Sequence, residues 1–477
     1  MEYSGNPNNH SPHVAILAGA GMGHLTPTLR LAASLLKRNC LVTLITAHPC
    51  VSDAESKLIS LFLSAFPQAR KEQFHIVPLD PPVEGCDPFW LQWEATRRSL
   101  QVLPSLLQSL SPPLSALVTD VTLLTPVLEF TATLKNLPKY ILFISCARMF
   151  SLLASYHTFF STTHHLPEDD YFSKAEFLET PFPGVGPFLK SSIPAALQEA
   201  TNLFVSIFKE DGKKVSSFDG VFINTFDRLE PELVGNGAKL FDGRVMPPLI
   251  TVRLSPCDFE RGAGSSKLGW LDDQAPGSVV YVSFGSRIAI KKERIREIGE
   301  GLVRCGYPFL WVVKDKIVDK EDTALLEDVI GDELMEKVKS KGLVVKEWVD
   351  QGGILGHKAV GGFVNHSGWN SVTEAAWCGM RVLAWPADAD QGINAEAVEK
   401  SGLGIWAKDW GCLAGPNSDK MVTGEEIGTK IQEMMGNDLL RLQAQQIRDE
   451  ARNAFGDGGS CENAMKELIE KWKMTNV

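Results

Sequence analysis

A run of polar side chains between residues 365 and 374 has the types and spacing of a site that binds an organic diphosphate. The apolar run 359–364 has the pattern of a buried strand, and residues 365–368 then open a helix. Backbone N–H groups and the positive end of the helix dipole bind anions at such a junction. Glu374, one turn further on, can accept hydrogen bonds from vicinal hydroxyls such as those of a ribose. The side chains that add donors beside the anion are His366, Asn370 and Ser371.

The spacing of Ser371 and Glu374 also fits a capping box, in which both side chains would only satisfy the first turn of a helix. Because the strand runs up to His366, we expect the helix to begin before Trp369 and to contain Ser371 in its interior. The sequence therefore favours ligand binding over capping.

His24 and Asp120 form a second candidate pair, for acid–base chemistry. His24 follows the first predicted strand and the glycine-rich turn 19–23, and Asp120 ends the fourth strand. Ligands of open parallel sheets bind beyond the strands' carboxyl ends, and these two strands are expected to be neighbours. A carboxylate on one imidazole nitrogen would let the other nitrogen act as a general base. The alternative, in which both side chains cap the helices after them, is less favoured beside a nucleotide site.

Apolar strand patterns alternate with helical ones twice along the chain, which predicts parallel sheets covered by helices on both faces. The predicted strands are 13–19, 41–47, 74–79, 116–120 and 140–145 in the first half, and 279–284, 309–313, 343–345, 359–364 and 382–385 in the second. A stretch rich in Pro and Gly, 246–267, interrupts the alternation and is predicted to be a linker. The expected fold is therefore α/β, with two doubly wound Rossmann-like domains facing a cleft.

Length, charge and cysteine content narrow the class of protein. A chain of 477 residues is too long for one core and suits two domains. The net charge of -11 disfavours nucleic acid or an anionic membrane as a partner. The start of the chain lacks the apolar core of a secretory signal, and no apolar run is long enough to span a bilayer. Nine scattered cysteines indicate reduced thiols, so we expect a cytoplasmic protein, and without a coiled-coil or repeat pattern we expect a monomer.

The stretch 348–391 closely resembles the nucleotide-sugar signature box of plant family 1 glycosyltransferases, which transfer sugar from UDP-sugars to small acceptors. The resemblance implies a GT-B fold, with residues 1–245 binding the acceptor and residues 268–455 binding the UDP-sugar. It implies that 456–477 forms a helix that packs back on the first domain. It also implies inverting transfer with UDP-glucose as co-substrate and with no cofactor or metal, His24 being the general base that Asp120 orients.

The same resemblance assigns a role to each donor-contacting position. Trp348 would stack on uracil, with the backbone of Val349 reading the base edge and Gln351 near the ribose. Glu374 would hold the ribose hydroxyls. The diphosphate contacts would be His366, the Trp369 backbone, Asn370, Ser371 and the loop that contains Ser286, and the sugar contacts would be Asp390 and Gln391. A terminal Gln usually goes with glucose.

The sequence departs from the family pattern at Asp350, where Pro is usual, and at 380–381, where Val-Pro is common, but neither position is a donor contact. Two short motifs carry no separate function. Glycines 19, 21 and 23 spell GxGxG, whereas a dinucleotide fingerprint is GxGxxG, so the third glycine is not at the required spacing. The DxD pattern of Asp388 and Asp390 has no accompanying His or Cys cluster, so we expect no metal site.

Aromatic residues near positions 89–93 and 150–160 suit an acceptor with a flat phenolic ring, although core packing explains any single one equally well. The candidate acceptor pocket consists of Phe89, Trp90, Trp93, Ser145, Phe150 and Arg287. The segments 87–89, 348–351 and 286–287 together resemble the flavonoid C-glucosyltransferase branch. That resemblance implies glucosyl transfer to an aromatic carbon of a polyphenol such as phloretin or a 2-hydroxyflavanone.

The alternative acceptor atom is oxygen. Removing a phenolic proton makes the ortho carbon nucleophilic as well as the oxygen, so one base serves C- or O-glucosylation and the orientation of the ring decides. Two other classes of function were weighed. A nicotinamide or flavin oxidoreductase would need an acidic residue at the end of the second strand, which instead ends in Thr46-Ala47-His48. A UDP-sugar binder without catalysis would lack His24 or Asp120.

Overall fold

Two parallel β-sheets form the frame of the chain in a computed structural model, as the alternating pattern predicts. The structure describes residues 11–79, 88–162, 188–198, 202–231, 240–241, 244–260, 268–285, 288–313, 325–347, 349–414, 418 and 420–474. Each sheet carries helices on both faces, so its central strands are buried on both sides. The doubly wound, two-domain fold class is confirmed.

The first sheet has seven strands in the order β3-β2-β1-β4-β5-β6-β9, all parallel. The strands of the first half are β1 His13–Leu17, β2 Leu41–His48, β3 Arg70–His75, β4 Ala116–Asp120, β5 Lys139–Phe143, β6 Gly220–Ile223, the antiparallel pair β7 Leu240–Phe241 and β8 Arg244–Val245, and β9 Leu249–Thr251. The helices are α1 Met22–Lys37, α2 Asp53–Ala65, α3 Pro88–Ser99, α4 Leu103–Ser109, α5 Leu124–Phe130, α6 Ala147–Thr162 and α7 Leu203–Lys214. Chain order therefore reverses between β1 and β4, where a ligand is expected.

The second sheet has six parallel strands in the order β12-β11-β10-β13-β14-β15. Its strands are β10 Val279–Ser283, β11 Phe309–Val312, β12 Gly342–Val345, β13 Val360–Asn365, β14 Arg381–Ala384 and β15 Gly404–Trp406. The helices of this half are α8 Leu268–Asp272, α9 Lys292–Arg304, α10 Leu326–Ile330, α11 Asp332–Lys339, α12 Gln351–Leu355, α13 Trp369–Cys378, α14 Gln391–Ser401, α15 Gly424–Gly436 and α16 Asp438–Phe455, followed by α17 Ser460–Met474. The switch point lies between β10 and β13.

Helix α17 returns to the first sheet. Trp472 is fully buried, and its indole N–H donates to the hydroxyl of Tyr140 over 3.1 Å. Met465 and Ile469 join the same apolar cluster as strands β1 and β4. The last helix thus fills the outer face of the first sheet. Among the helices of the described residues, none combines the length and apolar character needed to cross a membrane.

Three boundary predictions were wrong. The third strand is β3 rather than 74–79, because an edge strand with one buried residue, Phe74, has no continuous apolar run. The predicted linker 246–267 is not loop throughout, since β9 pairs with β6 in the first sheet. Helix α13 begins at Trp369 rather than before it. Ser367 has a left-handed backbone conformation, with φ 65°, and its N–H donates to Asn365 Oδ1 over 2.7 Å. Because a left-handed residue cannot be part of a right-handed helix, the helix begins only after Ser367.

Candidate active site

His24 and Asp120 meet at the switch point of the first sheet. Strands β1 and β4 are hydrogen-bonded neighbours, so the start of α1 faces the end of β4. The Nδ1–H of His24 donates to Asp120, 2.9 Å from Oδ2 and 3.1 Å from Oδ1. Because a carboxylate can only accept, this contact selects the tautomer in which Nε2 is the basic nitrogen.

Asp120 is fully buried but remains an anion. Burial alone would raise its pKa, but the charge of His24 and the hydrogen bonds from His24 and Thr122 together hold the pKa of the carboxyl below its ordinary value. The Thr122 N–H and hydroxyl donate to Oδ1 over 2.9 and 2.6 Å. The Asp120 side chain is thus a fixed negative charge against which a protonated imidazole is stable.

The glycine-rich turn makes room for this pair. A Cβ at Gly19 would lie 2.4 Å from Asp120 Cγ, so the carboxylate occupies the space of the missing side chain. Glycine is therefore required here by the approach of Asp120.

An aromatic wall, formed by Trp90, Trp93 and Phe204, stands beside the imidazole. Trp93 meets His24 edge-on with ring centroids 5.0 Å apart. Trp90 lies 4.8 Å from Trp93 and stacks on Phe204 at 4.6 Å. Phe204 belongs to α7, more than a hundred residues along the chain, and no local motif marked it. These rings form one aromatic cluster beside His24, and aromatic side chains of this kind suit contact with a flat aromatic ring.

A buried ion pair holds this wall against the Asp120 turn. Arg97, on the same helix as Trp93, donates to Asp211 over 2.8 Å and to the carbonyl of Thr122 over 2.7 Å. Burial raises the pKa of Asp211 to about 6, against the opposing effect of Arg97. Helices α3 and α7 are thereby fixed relative to the catalytic carboxylate.

The other residues of the predicted acceptor pocket do not lie together at one site in the described part of the chain. Phe150 lies in the core of the first domain, 5.2 Å from Phe143 and 5% exposed, so it packs rather than lines a pocket. Ser145 is buried and contacts the other domain, where its hydroxyl bonds Asp390 and Asn394. Arg287 and the side chain of Phe89 lie outside the described residues.

The donor loop, residues 365–368 between β13 and α13, contains polar side-chain atoms that make no hydrogen bond to any described residue. Within the described part of the chain, Asn365 Nδ2, His366 Nδ1 and Ser367 Oγ are buried without a hydrogen-bond partner. Unpaired buried donors are costly unless a ligand satisfies them. The helix N-cap is Gly368, with no side-chain cap, so Ser371 and Glu374 do not form a capping box. Ser371 and Asn370 lie in the first turn of α13.

Two side chains of this region have defined electrostatic and bridging roles. Burial lowers the pKa of His366 to about 4, so its imidazole is neutral at pH 7. A neutral imidazole can still donate one N–H to a phosphate oxygen. The indole of Trp369 donates to the carbonyl of Asn224 over 2.8 Å, which ties the helix to the first domain while its backbone N–H stays at the helix end.

Glu374 is held at both carboxylate oxygens. Gln351 Nε2 donates to Oε2 over 2.9 Å and lies 3.2 Å from the Ser371 hydroxyl. Arg30 Nη2, from helix α1 of the first domain, lies 2.8 Å from Oε1. No sequence pattern identifies Arg30, because nothing local links it to a residue more than three hundred positions away. Val349 is buried, and Trp348 and Ser286 fall outside the part of the chain that the structure describes.

Asp390 and Gln391 lie at the start of α14. Asp390 is buried and accepts from Asn394 Nδ2 over 2.9 Å; burial raises the pKa of its carboxyl, although hydrogen bonds from Ser145 and Asn394 and the charge of His24 oppose this. Gln391 Oε1 accepts from the N–H groups of Ala387 and Asp388 over 2.8 and 3.2 Å. Asp390, one of the two predicted sugar contacts, is bonded to Ser145 of the first domain.

Known proteins resemble this chain over nearly its whole length. The family model described as UDP-glucoronosyl and UDP-glucosyl transferase matches residues 262–411. UDP-glycosyltransferase 708G2 of Citrus unshiu is 50% identical, covering 100% of this chain and 99% of that protein. UDP-glycosyltransferase CGT of Oryza sativa subsp. indica is 39% identical, covering 98% of each. The crystal structure of LpCGTa in complex with UDP is 40% identical, with a TM-score of 0.84, and covers 97% of this chain and 99% of that one.

Proposed function

The chain belongs to the plant family 1 UDP-glycosyltransferases, and on that premise we propose that it transfers glucose from UDP-glucose to an aromatic carbon of a polyphenol. The transfer inverts the anomeric centre and uses no metal or other cofactor. The observation that carries the proposal is the pairing of His24 with buried Asp120. The charge of His24 also opposes the rise in pKa that burial causes at the Asp390 carboxyl, at the start of α14.

The proposed reaction starts with proton transfer. His24 Nε2 takes the proton of a phenolic hydroxyl, and Asp120 stabilises the imidazolium. Electron density of the phenolate at the ortho carbon then attacks the anomeric carbon from the face opposite UDP. The new C–C bond forms as the bond to the UDP oxygen breaks. The ring C–H proton then leaves to solvent, which restores the aromatic ring, and the His24 imidazolium returns its proton to the phenol oxygen.

The donor loop and the start of α13 support the departure of UDP. Charge grows on the diphosphate as the glycosidic bond breaks, and backbone N–H groups with the side chains of Ser371 and His366 are arranged to donate to it. Neutral His366 contributes a hydrogen bond rather than a full charge.

Transfer to carbon, rather than oxygen, is supported by the relatives whose printed designation is CGT, for C-glucosyltransferase, and by the similarity to LpCGTa. The aromatic wall beside His24 supports a flat phenolic acceptor. O-glucosylation is the second candidate, because the same proton transfer makes the phenolate oxygen a nucleophile.

The test is a product assay with UDP-glucose and phloretin, analysed by mass spectrometry before and after heating in acid. We expect a monoglucoside that survives acid and fragments across the sugar ring, because a C–C bond cannot be hydrolysed. A product that loses its intact sugar in acid would contradict C-transfer and establish the O-glucosyltransferase. A chain that binds UDP but converts no phenol would contradict the acceptor class.

A further inference from the structure

Arg30 is a buried arginine on helix α1, six residues after His24. Its guanidinium uses both edges. Nε and Nη2 donate to Glu260 over 2.9 and 2.7 Å, and Nη1 donates to the carbonyl of Leu254 over 3.1 Å. Nη2 also reaches Oε1 of Glu374 at 2.8 Å. One side chain of the first domain thus joins the segment between the domains to the second domain.

The charges at this junction do not cancel. One guanidinium faces two carboxylates, those of Glu260 and Glu374, and all three side chains are at most 15% exposed. Burial would lower the pKa of Arg30, but the charges and hydrogen bonds of Glu374 and Glu260 raise it above its ordinary value, so the guanidinium stays charged. Arg30 is already satisfied by the fork to Glu260, and the contact with Glu374 is an additional one.

Glu374 is left with defined acceptor sites. A carboxylate has about four lone-pair positions, of which Arg30 occupies one on Oε1 and Gln351 one on Oε2. Each oxygen therefore keeps one position, and the two positions belong to a carboxylate that cannot rotate. This arrangement matches two vicinal hydroxyls, which need one acceptor on each oxygen.

We propose that Arg30 is a positioning residue for the ribose of the donor: it locks the Glu374 carboxylate from across the cleft, so that the ribose subsite is complete only with the helix that carries His24. The inference rests on the proposed function in one respect, the placement of the donor ribose at Glu374. It adds that the first domain takes part in nucleotide recognition. Helix α1 then fixes the position of the base His24 relative to the ribose contact Glu374, because it carries both His24 and Arg30.

The test compares the binding of UDP and 2′-deoxy-UDP by isothermal titration calorimetry, which needs no acceptor. In the wild-type protein we expect UDP to bind at least about 10-fold more tightly, the value of one hydrogen bond to a charged group. In Arg30→Met the Glu374 carboxylate is free to turn, and we expect the ratio to fall below about 3-fold, mainly through weaker UDP binding. A merely structural role would weaken both nucleotides equally and leave the ratio unchanged.

Arg148→Met is the matched control. Arg148 also forms a buried ion pair between the domains, with Glu396 at 3.0 Å, and both of those side chains are as buried as Arg30. We expect this variant to keep the wild-type ratio. A control that loses the ratio as Arg30→Met does would overturn the proposal, because any break between the domains would then suffice.

Glu260→Gln is the second variant, for the case in which Arg30→Met does not fold. It keeps the charge of Arg30 but weakens the fork that aims it, and we expect a ratio between those of the wild type and Arg30→Met. An unchanged ratio in both variants would overturn the role of Arg30 while leaving the ribose at Glu374. A wild-type protein that does not distinguish the two nucleotides would overturn the ribose placement, and this proposal with it, without affecting glucosyl transfer in the product assay.

Discussion

His24 and Asp120 act as one unit, because the carboxylate both selects the tautomer and balances the imidazolium. Replacing His24 by Ala removes the base, and we expect kcat for the phenol to fall about 10³-fold. Asp120→Asn keeps the shape but not the charge, and we expect a fall of about 10²-fold or more. Both are measured as initial rates of glucoside formation. UDP affinity should change less than about 2-fold, since neither side chain is placed at the nucleotide.

His13→Gln is the control for the pair. His13 is the first residue of β1, the strand that precedes His24; it is fully buried, and its ring bonds the carbonyl of Pro112 and the hydroxyl of Thr43 instead of any site residue. We expect its variant to lose stability but to keep kcat once folded. An active His24→Ala would exclude the histidine as the base.

His366 predicts a dependence of stability on pH. The folded chain holds this imidazole neutral, with a pKa of about 4 against an ordinary 6.5. As the pH falls below 6.5 the unfolded chain takes up the proton first, so the contribution is complete above pH 6.5 and is lost towards pH 4. We expect His366→Gln to show a smaller loss of unfolding free energy between pH 7 and pH 5, by about 2 kcal/mol, in denaturant titrations. Identical pH profiles for the two proteins would contradict the buried, neutral imidazole.

The residues that the sequence could identify are those that carry their own pattern. His366, Glu374 and Gln391 stand at fixed spacings in one stretch, and His24 follows a strand and a glycine turn. Arg30, Phe204 and Asn394 were missed, because each meets its partner only through the arrangement of helices and domains. Phe150 was misplaced for the related reason that an aromatic residue looks the same in a core and in a pocket.

At the scale of elements, most strands with an apolar run were predictable, whereas the polar edge strand β3 and several short strands were not. Strand β4 was predicted to the residue, since all five residues of ALVTD are buried and the first three are apolar. Strand β3 was misplaced because its residues are mostly polar and exposed, and β6, β9 and β15, of four residues or fewer, were not predicted. The residues of these three short strands suit a strand, but a run of three or four is too short to give a pattern of its own in the sequence.

Asp350 gives a prediction about a single helix. Where the family usually has Pro, Asp350 caps α12 by accepting from the N–H of Gly353 over 2.9 Å. Asp350→Ala removes this cap, and we expect the free energy of unfolding to fall by about 1 kcal/mol. Because Gln351 is the first residue of α12 and holds Glu374, UDP affinity should fall a few-fold as well. Calorimetry and denaturant titration of one preparation test both effects. Loss of stability without loss of UDP affinity would show that the position of Gln351 does not affect nucleotide binding.

At the scale of the whole molecule, the two domains are joined by contacts that reach the site itself. Ser145 of the first domain bonds Asp390 of the second, Trp369 bonds Asn224, and Ser192 bonds Glu396. The sequence predicted two domains and a cleft, but not their separation, since none of these pairs has a local pattern. The contacts between the domains therefore set the distance between His24 in the first domain and the donor site in the second.

Gly392 tests this conclusion. It is the second residue of α14, and a Cβ there would lie 2.6 Å from the backbone Cα and O of Ser192 in the other domain. Since backbone cannot yield as a flexible side chain does, Gly392→Ala must push the domains apart by a fraction of an ångström or more. Misplacement of reacting groups by about 1 Å costs about 10²-fold in rate, so we expect kcat to fall between about 10- and 100-fold.

The affinity for UDP should stay within about 2-fold of wild type in Gly392→Ala, because the predicted nucleotide contacts of the second domain are not displaced relative to each other. Gly269→Ala is the matched control: Gly269 is also the second residue of a helix, α8, but apart from its chain neighbours and its own helix backbone no atom of the described residues lies within 4 Å of the added Cβ. Initial rates and UDP titrations of both variants separate the two effects. If Gly392→Ala keeps the wild-type kcat, catalysis must take place with the domains further apart than in this structure. The hydrogen bond from Ser145 to Asp390 would then form only in the protein without substrate.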